Sequence, residues 1–440
     1  MVFIRLASVD MTASLTTRQG TAMLAAGVLG PGLLVLPGLA AIAAGPASIL
    51  AWAGLLALSV PVALTFAALG ARHPGSGGAA AFVGVAFGGR AAAVVGWWFY
   101  GAVPMGVLAG ALVGGDYAAS CFGLGGPVPQ VVAGVVLAGA FAANCAGLRV
   151  SGRLQVGLVA VLVVLLAIAI AGAAPDMRMA NFAPPAPHGL TGIVRAAGVL
   201  LFAFVGWEAV SHLSADFADR ERGLRRATVL TLIVIGILYL SLAVVSIGVL
   251  GVGATSSNVP LAALVSDGIG GAGRQVTGII AVVLSFGAVN TYIAGAARLG
   301  AALGGSGALP SRFATLAGPA GIPRRSLALL AALVVAVTAP VLIWHIGLDA
   351  LMRGTAACLA AVTVLGTASA TRILAPGAAR ATARIATGFA GVALVCCGSY
   401  LLVPVGLAVA SLTAWSVSGA NRHMDTSRCS RSCSVKVPEV

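Results

Sequence analysis

The sequence predicts an all-α membrane protein with twelve transmembrane helices, and three observations lead to this fold class. Of its 440 residues, 60% are hydrophobic and 8% are charged, whereas globular chains carry about 25% charged residues. Apolar runs of about 18 residues or more recur along most of the chain, and a spanning helix needs about 20. Basic residues gather in alternate connections between these runs. A soluble protein is therefore excluded.

Twelve candidate spans account for most of the chain. They cover residues 19–44, 47–71, 91–115, 128–148, 154–174, 192–215, 227–250, 275–303, 326–347, 349–373, 381–398 and 400–419. With the N-terminus in the cytoplasm, all but four of the 25 basic residues (Arg178, Arg195, Arg274 and Arg353) lie on the cytoplasmic side. Because cytoplasmic loops are enriched in Lys and Arg, we predict that both termini are cytoplasmic.

The formal net charge of +14 does not indicate nucleic-acid binding. The basic residues stand singly or in pairs between apolar runs, whereas a nucleic-acid site needs a polar basic face. The seven cysteines show neither zinc-site spacing nor a disulfide framework, and we predict no cofactor or metal. We find no cleavable signal peptide, Met11 is as plausible a start as Met1, and the oligomeric state is not indicated.

Two predicted spans contain helix-breaking sequences near their middle. Span 1 contains Gly27 and Gly30-Pro31-Gly32, and span 6 contains Phe204-Val205-Gly206-Trp207-Glu208. Many secondary transporters are inverted repeats with such breaks at the substrate site, and five spans separate these two. The predicted organisation is a 5+5 inverted repeat: a cytoplasmic segment at 1–18, repeats at 19–174 and 192–374, an extracellular loop at 175–191, helices 11 and 12 at 375–420 and a cytoplasmic tail at 421–440.

Several short motifs follow one another in a characteristic order. They are LGPGL at 29–33, RHPGSGG at 72–78, NCAGLRVSGR at 144–153, FVGWE at 204–208, GALP at 307–310 and PRRS at 323–326. Together they resemble the amino acid-polyamine-organocation transporter superfamily, and more narrowly its bacterial exporters of methionine and branched-chain amino acids, over roughly residues 16–374. The resemblance implies a cell-membrane transporter rather than an enzyme, exporting amino acids by proton antiport.

One residue departs from the family pattern. Relatives usually carry Ser, Thr or Ala between the two glycines of the first-helix motif, where unwound backbone N–H groups bind a substrate carboxylate. Pro31 has no N–H to donate. The carboxylate is therefore expected on the N–H groups of Gly30, Gly32 and Leu33, or of Gly27 and Val28.

The two breaks together suit a zwitterion, because exposed N–H groups favour an anion and exposed carbonyls a cation. Bulky apolar side chains nearby favour a neutral amino acid, although each is also explained by packing. These side chains are Met23, Trp98, Met105, Phe202, Trp207 and Phe286. The predicted substrate-binding residues are Gly27, Val28, Gly30, Gly32, Leu33, Phe202, Phe204, Val205, Gly206 and Trp207.

Glu208 places a carboxylate inside a predicted span, where a charged residue costs about 2.5 to 3.5 kcal/mol on insertion scales. One interpretation is that it caps N–H groups released by the break. The other is that it carries a proton during transport, together with His212 one helical turn further on.

Coupling and function leave alternatives open. The only lysine, Lys436, lies in the tail, so no membrane lysine can carry protons. A sodium site would use Ser285, Asn290 and Thr291 with carbonyls of span 1. The alternatives are an importer or sodium-coupled permease of the same fold, a non-transporting sensor, or a membrane-embedded enzyme acting on a lipid or isoprenoid. Such an enzyme would need an acid cluster or a metal-binding histidine pair inside the membrane.

Overall fold

The structure is a computed structural model. It describes residues 17–73, 78–146, 152–204, 206–208, 217, 219, 221–251, 271–315 and 322–415. Two predicted site residues, Val205 and His212, lie outside these ranges.

Nearly all of the described chain is helical, and we number the α-helices in chain order. They are α1 (Thr17–Val28), α2 (Leu36–Ala44), α3 (Ser48–Arg72), α4 (Gly78–Phe87), α5 (Gly89–Phe122), α6 (Val128–Cys145), α7 (Gly152–Ala173), α8 (Gly189–Leu200), α9 (Arg222–Leu250), α10 (Gly271–Ser306), α11 (Arg324–Ile343), α12 (Leu348–Ile373), α13 (Ala378–Cys396) and α14 (402–415). Short 3-10 turns lie between several of them, including Pro31–Leu34 and Leu201–Phe204.

Nine segments of the described chain are long and apolar enough to cross a bilayer. They are Leu36–Arg72, Gly89–Phe122, Val128–Cys145, Arg222–Val249, Thr277–Ser306, Arg324–Ile343, Leu348–Ile373, Ala378–Cys396 and Gly398–Trp415. The all-helical, multi-pass membrane character is thus confirmed, whereas the number of twelve spans and the inverted repeat stay predictions.

Helix α4 was not expected, because the sequence assigned residues 72–90 to a cytoplasmic loop. Its ten residues are mostly apolar, and Gly78, Ala79, Phe82 and Val83 are buried. Ten helical residues rise only about 15 Å, roughly half the thickness of the hydrocarbon core. The loop therefore contains a packed helix that is too short to span.

Glycines bring the longest helices together. Gly96 of α5 packs against Leu303 of α10, and near the opposite end of α5 the Cβ position of Gly278 lies 2.7 Å from Cβ of Cys121. The two helices are therefore antiparallel, as expected for an odd and an even predicted span. Because glycine has no side chain, each of these two glycines lets the facing helix approach closely, which is common in membrane proteins.

Helices α1 and α9 run parallel. The Thr231 hydroxyl lies 3.2 Å from the carbonyl oxygen of Thr21, and the Tyr239 hydroxyl lies 3.2 Å from that of Val28. Trp52 of α3 packs edge-on against the Tyr239 ring, with centroids 5.1 Å apart. Helix α9 therefore packs against the end of α1, where the first break begins, and α3 packs against α9.

Candidate functional site

The first helix break follows directly from its sequence. Helix α1 ends at Val28, Gly30 is extended (φ −87°, ψ 171°), and the 3-10 turn Pro31–Leu34 leads into α2. Pro31 cannot donate to the hydrogen-bond ladder of α1, but its fixed φ suits the first position of a new helical turn. The proline therefore ends one half-helix and begins the next.

The N–H groups of this break are only partly satisfied. Gly30 N–H donates to the Val28 carbonyl at 2.9 Å, and Leu33 N–H donates to the Gly30 carbonyl at 3.2 Å. Gly27 and Val28 lie in the last turn of α1, where N–H groups bond inside the helix. The N–H of Gly32 donates to no acceptor in the described part of the chain. Of the predicted carboxylate donors, Gly32 is the one left available in this conformation.

The second break follows α8. The 3-10 turn Leu201–Phe204 replaces the α-helix, and Gly206 has φ +116°, which strongly favours glycine. The Glu208 side chain, with 3% of the residue exposed, accepts the Gly206 N–H through Oε2 at 3.1 Å. Glu208 therefore satisfies an N–H group that the break releases, as the capping interpretation expects.

The two breaks touch each other. The Cβ position of Gly32 lies 2.7 Å from Cδ1 of the Phe202 ring, so only glycine fits there without a shift of that ring. From the other side, the Tyr239 hydroxyl lies 3.2 Å from both the Val28 and the Ala203 carbonyl oxygens. The breaks thus form one connected unit.

A second tyrosine contacts the first break from α5. The Tyr117 hydroxyl donates to the Leu34 carbonyl at 2.6 Å, at the end of the 3-10 turn. Because carbonyl groups at a helix break lack intrahelical partners, this bond stabilises the break.

A cavity of about 670 Å³, including the part open to solvent, lies beside the breaks. The lining residues are Val28, Gly30, Gly32, Leu33, Phe99, Ala102, Val103, Gly106, Val107, Gly110, Phe202, Ala203, Tyr239, Ala288, Val289, Tyr292, Thr355 and Leu359. None of them carries a charged side chain, and their polar side-chain atoms are three hydroxyls.

Half of the predicted substrate-binding residues line this cavity, namely Val28, Gly30, Gly32, Leu33 and Phe202. Of the other described residues, Phe204, Gly206 and Trp207 do not line it. The Phe204 ring instead packs against Tyr239, with centroids 5.4 Å apart, and Trp207 is buried. These residues support the break rather than face the cavity.

Three other bulky residues named from the sequence also pack elsewhere. Trp98 donates through Nε1 to the Pro404 carbonyl at 2.7 Å, the Met105 sulfur packs on Gly354, and the Phe286 ring packs on Gly139. These three side chains are therefore explained by helix packing, as the alternative interpretation from the sequence expects. Whether a side chain faces the cavity depends on its direction around the helix axis, which its position in the sequence does not specify.

The three residues suggested for a sodium site face different neighbours. The Asn290 side-chain oxygen accepts from Nδ2 of Asn144 at 2.7 Å, and Thr291 donates to the carbonyl of Gly287. The buried Ser285 hydroxyl packs on Gly114 and has no partner in the described chain. Positions 285, 290 and 291 point in widely separated directions around a helix, so α10 does not bring them together.

Several site residues were missed from the sequence. Tyr239 and Tyr292 are hydroxyl-bearing residues in apolar spans. Gly106 and Gly110 form a G-x-x-x-G spacing in span 3, which is typical of close helix packing.

The position of Asp116 also differs from the prediction. The sequence placed it beyond span 3, but α5 continues to Phe122 and includes it. No hydrogen bond or ion pair joins the Asp116 carboxylate to another described residue.

The comparisons with known proteins agree with this architecture. The model of the amino acid permease family matches residues 15–380. The "Uncharacterized amino acid permease YecA" of Bacillus subtilis (strain 168) is 32% identical over 83% of this chain and 86% of its own length. The "L-methionine/branched-chain amino acid exporter YjeH" of Escherichia coli (strain K12) is 33% identical over 64% of this chain and 68% of its own. The "Branched-chain amino acid permease BcaP" of Bacillus subtilis (strain 168) is 26% identical over 51% and 52%.

The family match covers both helix breaks and the cavity between them. The matched proteins are transporters, so the interpretation as a membrane-embedded enzyme is set aside. The chain belongs to the amino acid permease family, within the amino acid-polyamine-organocation superfamily.

Proposed function

We propose that the chain is a secondary active transporter of neutral amino acids in the cell membrane, which exports them in exchange for protons. The single observation that carries the substrate class is the cavity lining, which includes no charged side chain among the residues that the structure describes. A charged substrate side chain would lose its hydration there without gaining an ionic partner. A neutral side chain avoids this cost.

The backbone of the breaks supplies complementary groups for an α-amino acid. In this proposal the substrate carboxylate accepts the N–H of Gly32, next to the positive end of the half-helix that leads into α2. The ammonium group donates to the carbonyl of Ala203, since a carbonyl oxygen has two lone pairs and Tyr239 occupies at most one of them.

Proton coupling is assigned to Glu208, with His212 as its neighbour on the sequence argument above. When Glu208 takes up a proton, its carboxyl group loses its charge and accepts the Gly206 N–H more weakly than the carboxylate does. Protonation therefore loosens the second break, which links proton binding to the conformation of the site. In this proposal Glu208 caps the break when it is ionised and carries the transported proton when it is neutral.

The direction of transport is proposed from the E. coli relative, whose name describes an exporter. The topology of twelve spans, the 5+5 repeat and two cytoplasmic termini rests on the charge distribution. The parallel packing of α1 and α9 and the antiparallel packing of α5 and α10 support it.

Flux in proteoliposomes tests the proposal. The full chain is reconstituted, the lumen is made acidic relative to the bath, and uptake of radiolabelled L-leucine and L-methionine is followed. We expect accumulation driven by outward proton flow, with competition by unlabelled neutral amino acids but not by lysine or glutamate. Accumulation driven only by an acidic bath would indicate import by proton symport. Uptake that requires a sodium gradient would indicate the sodium-coupled alternative, and absence of flux for all amino acids would reject the proposal.

A further inference from the structure

The cavity wall opposite the helix breaks comes partly from α5 and α12. Helix α5 contributes Gly106 and Gly110, which present no side chain, and α12 contributes Thr355 and Leu359. The two glycines leave space between the α5 side chains that also line the cavity, and α12 adds two side chains. Those α5 residues are Phe99, Ala102, Val103 and Val107.

The orientation of Thr355 is determined by a hydrogen bond within its own helix. Its hydroxyl donates to the Leu351 carbonyl at 2.8 Å. The Cγ2 methyl then lies only 3.1 Å from the position that a Cβ atom of residue 106 would occupy. Thr355 is buried, so this methyl has little room to move away. A methyl group at residue 106 would therefore lie a few tenths of an ångström too close to the Thr355 methyl, so the space between the two residues is smaller than one methyl group.

We propose that Gly106 and Thr355 together determine the size of the substrate side chain that the cavity accepts, and that it takes aliphatic or thioether side chains larger than that of alanine. The inference rests on the proposed function, because it assigns the side-chain end of the same site. The argument is steric: a methyl group added at position 106 closes the wall against Thr355, and a methyl removed at position 355 widens it. Neither change touches the breaks that receive the carboxylate and ammonium groups.

Two variants with opposite effects test this inference. In Gly106→Ala the preference for leucine over alanine, measured as the ratio of their competition constants in proteoliposomes, should fall about tenfold, the scale of one methylene in an apolar pocket. Thr355→Ser removes the Cγ2 methyl and keeps the hydroxyl that bonds to Leu351, so the preference for larger side chains should rise.

Gly134→Ala is the matched control. Residue 134 is exposed on α6, and a Cβ atom there meets nothing within 4 Å, so the leucine-to-alanine ratio should stay at the wild-type value. If Gly106→Ala does not fold, Thr355→Ser alone decides. An unchanged ratio in the folded variants, with normal wild-type transport, overturns the inference and leaves the proposed function intact. A wild-type protein that carries no amino acid rejects both.

Discussion

The Tyr239 hydroxyl lies 3.2 Å from the carbonyl oxygen of Val28, the last residue of α1. The same hydroxyl lies 3.2 Å from the Ala203 carbonyl in the second break. A hydroxyl has one proton, so it donates to one of these carbonyls at a time. Contacts with the rings of Trp52 and Phe204 hold it between them. One buried side chain of α9 therefore serves both breaks.

Tyr239→Phe removes this shared donor and keeps the ring. A buried carbonyl that loses its donor costs about 1 to 3 kcal/mol, so we expect a lower midpoint of thermal unfolding and slower leucine flux. Tyr400→Phe is the control, because Tyr400 is only half-buried and lies in the turn Gly398–Leu401, far along the chain from either break. Equal flux and equal midpoints in the two variants would contradict the role of Tyr239.

Gly30 and Gly32 are expected to respond differently to the same added methyl group. At Gly32 the new Cβ atom lies 2.7 Å from the Phe202 ring, so Gly32→Ala should destabilise the protein by about 1 to 3 kcal/mol through overpacking. At Gly30, which lines the cavity, a Cβ atom meets nothing within 4 Å. Gly30→Ala should therefore keep the unfolding midpoint and raise KM, because its methyl enters the substrate space. The reverse pattern, measured by thermal unfolding and flux, would show that Gly30 rather than Gly32 is the packed position.

Gly206→Val tests the second break. A φ of +116° is strained for valine, at about 1 to 3 kcal/mol, and relief of the strain would displace the N–H that Glu208 accepts. We expect loss of leucine flux with the protein still inserted and monodisperse in detergent. Gly134→Val, on the exposed face of α6, is the control and should transport normally. Normal flux in Gly206→Val would remove this break from the site.

Topology is testable by cysteine labelling in a cysteine-free background. The loops at 72–90, 149–153, 216–226, 304–325 and 374–380 should be cytoplasmic, as positive-inside charge predicts. A single cysteine at position 220 should therefore resist membrane-impermeant maleimide on intact cells, whereas one at position 186, in the predicted extracellular loop, should react. Labelling of position 220 from outside would overturn the orientation and the repeat assignment together.

The location of the breaks could be predicted because glycine and proline act locally. Pro31 ends α1 through its missing N–H, and Gly206 has a backbone conformation that favours glycine. Neither effect depends on the rest of the fold. The sequence therefore predicts the two breaks that meet at the Gly32–Phe202 contact.

The walls of the cavity could not be predicted in the same way. Whether Met105 or Gly106 faces the cavity depends on the rotation of α5 against α12, and an apolar span offers no polar face to reveal it. The sequence favoured bulky residues as the lining, whereas half of the α5 residues that line the cavity are small, namely Ala102, Gly106 and Gly110. Asp116 was missed for a different reason, because the end of a span is uncertain by several residues.

The last prediction separates the two roles of Glu208. In Glu208→Gln the amide oxygen can still accept the Gly206 N–H, so the break is kept while the titratable group is lost. A proton carrier then predicts loss of pH-driven net flux with leucine-for-leucine exchange retained, because exchange needs no net proton movement. A purely structural cap predicts that both activities change together or that neither does.

Asp116→Asn is the matched control for this measurement, since it neutralises another carboxylate that lies inside a membrane helix. Asp116 bonds to no other described residue and does not line the cavity, so this variant should keep both exchange and pH-driven flux. His212→Ala should shift the pH profile of net flux less than Glu208→Gln does. Both activities are measured on one vesicle preparation, so differences in protein insertion cancel. Unchanged pH-driven flux in Glu208→Gln would end the proton-carrier role of this residue and leave it as the cap of the second break.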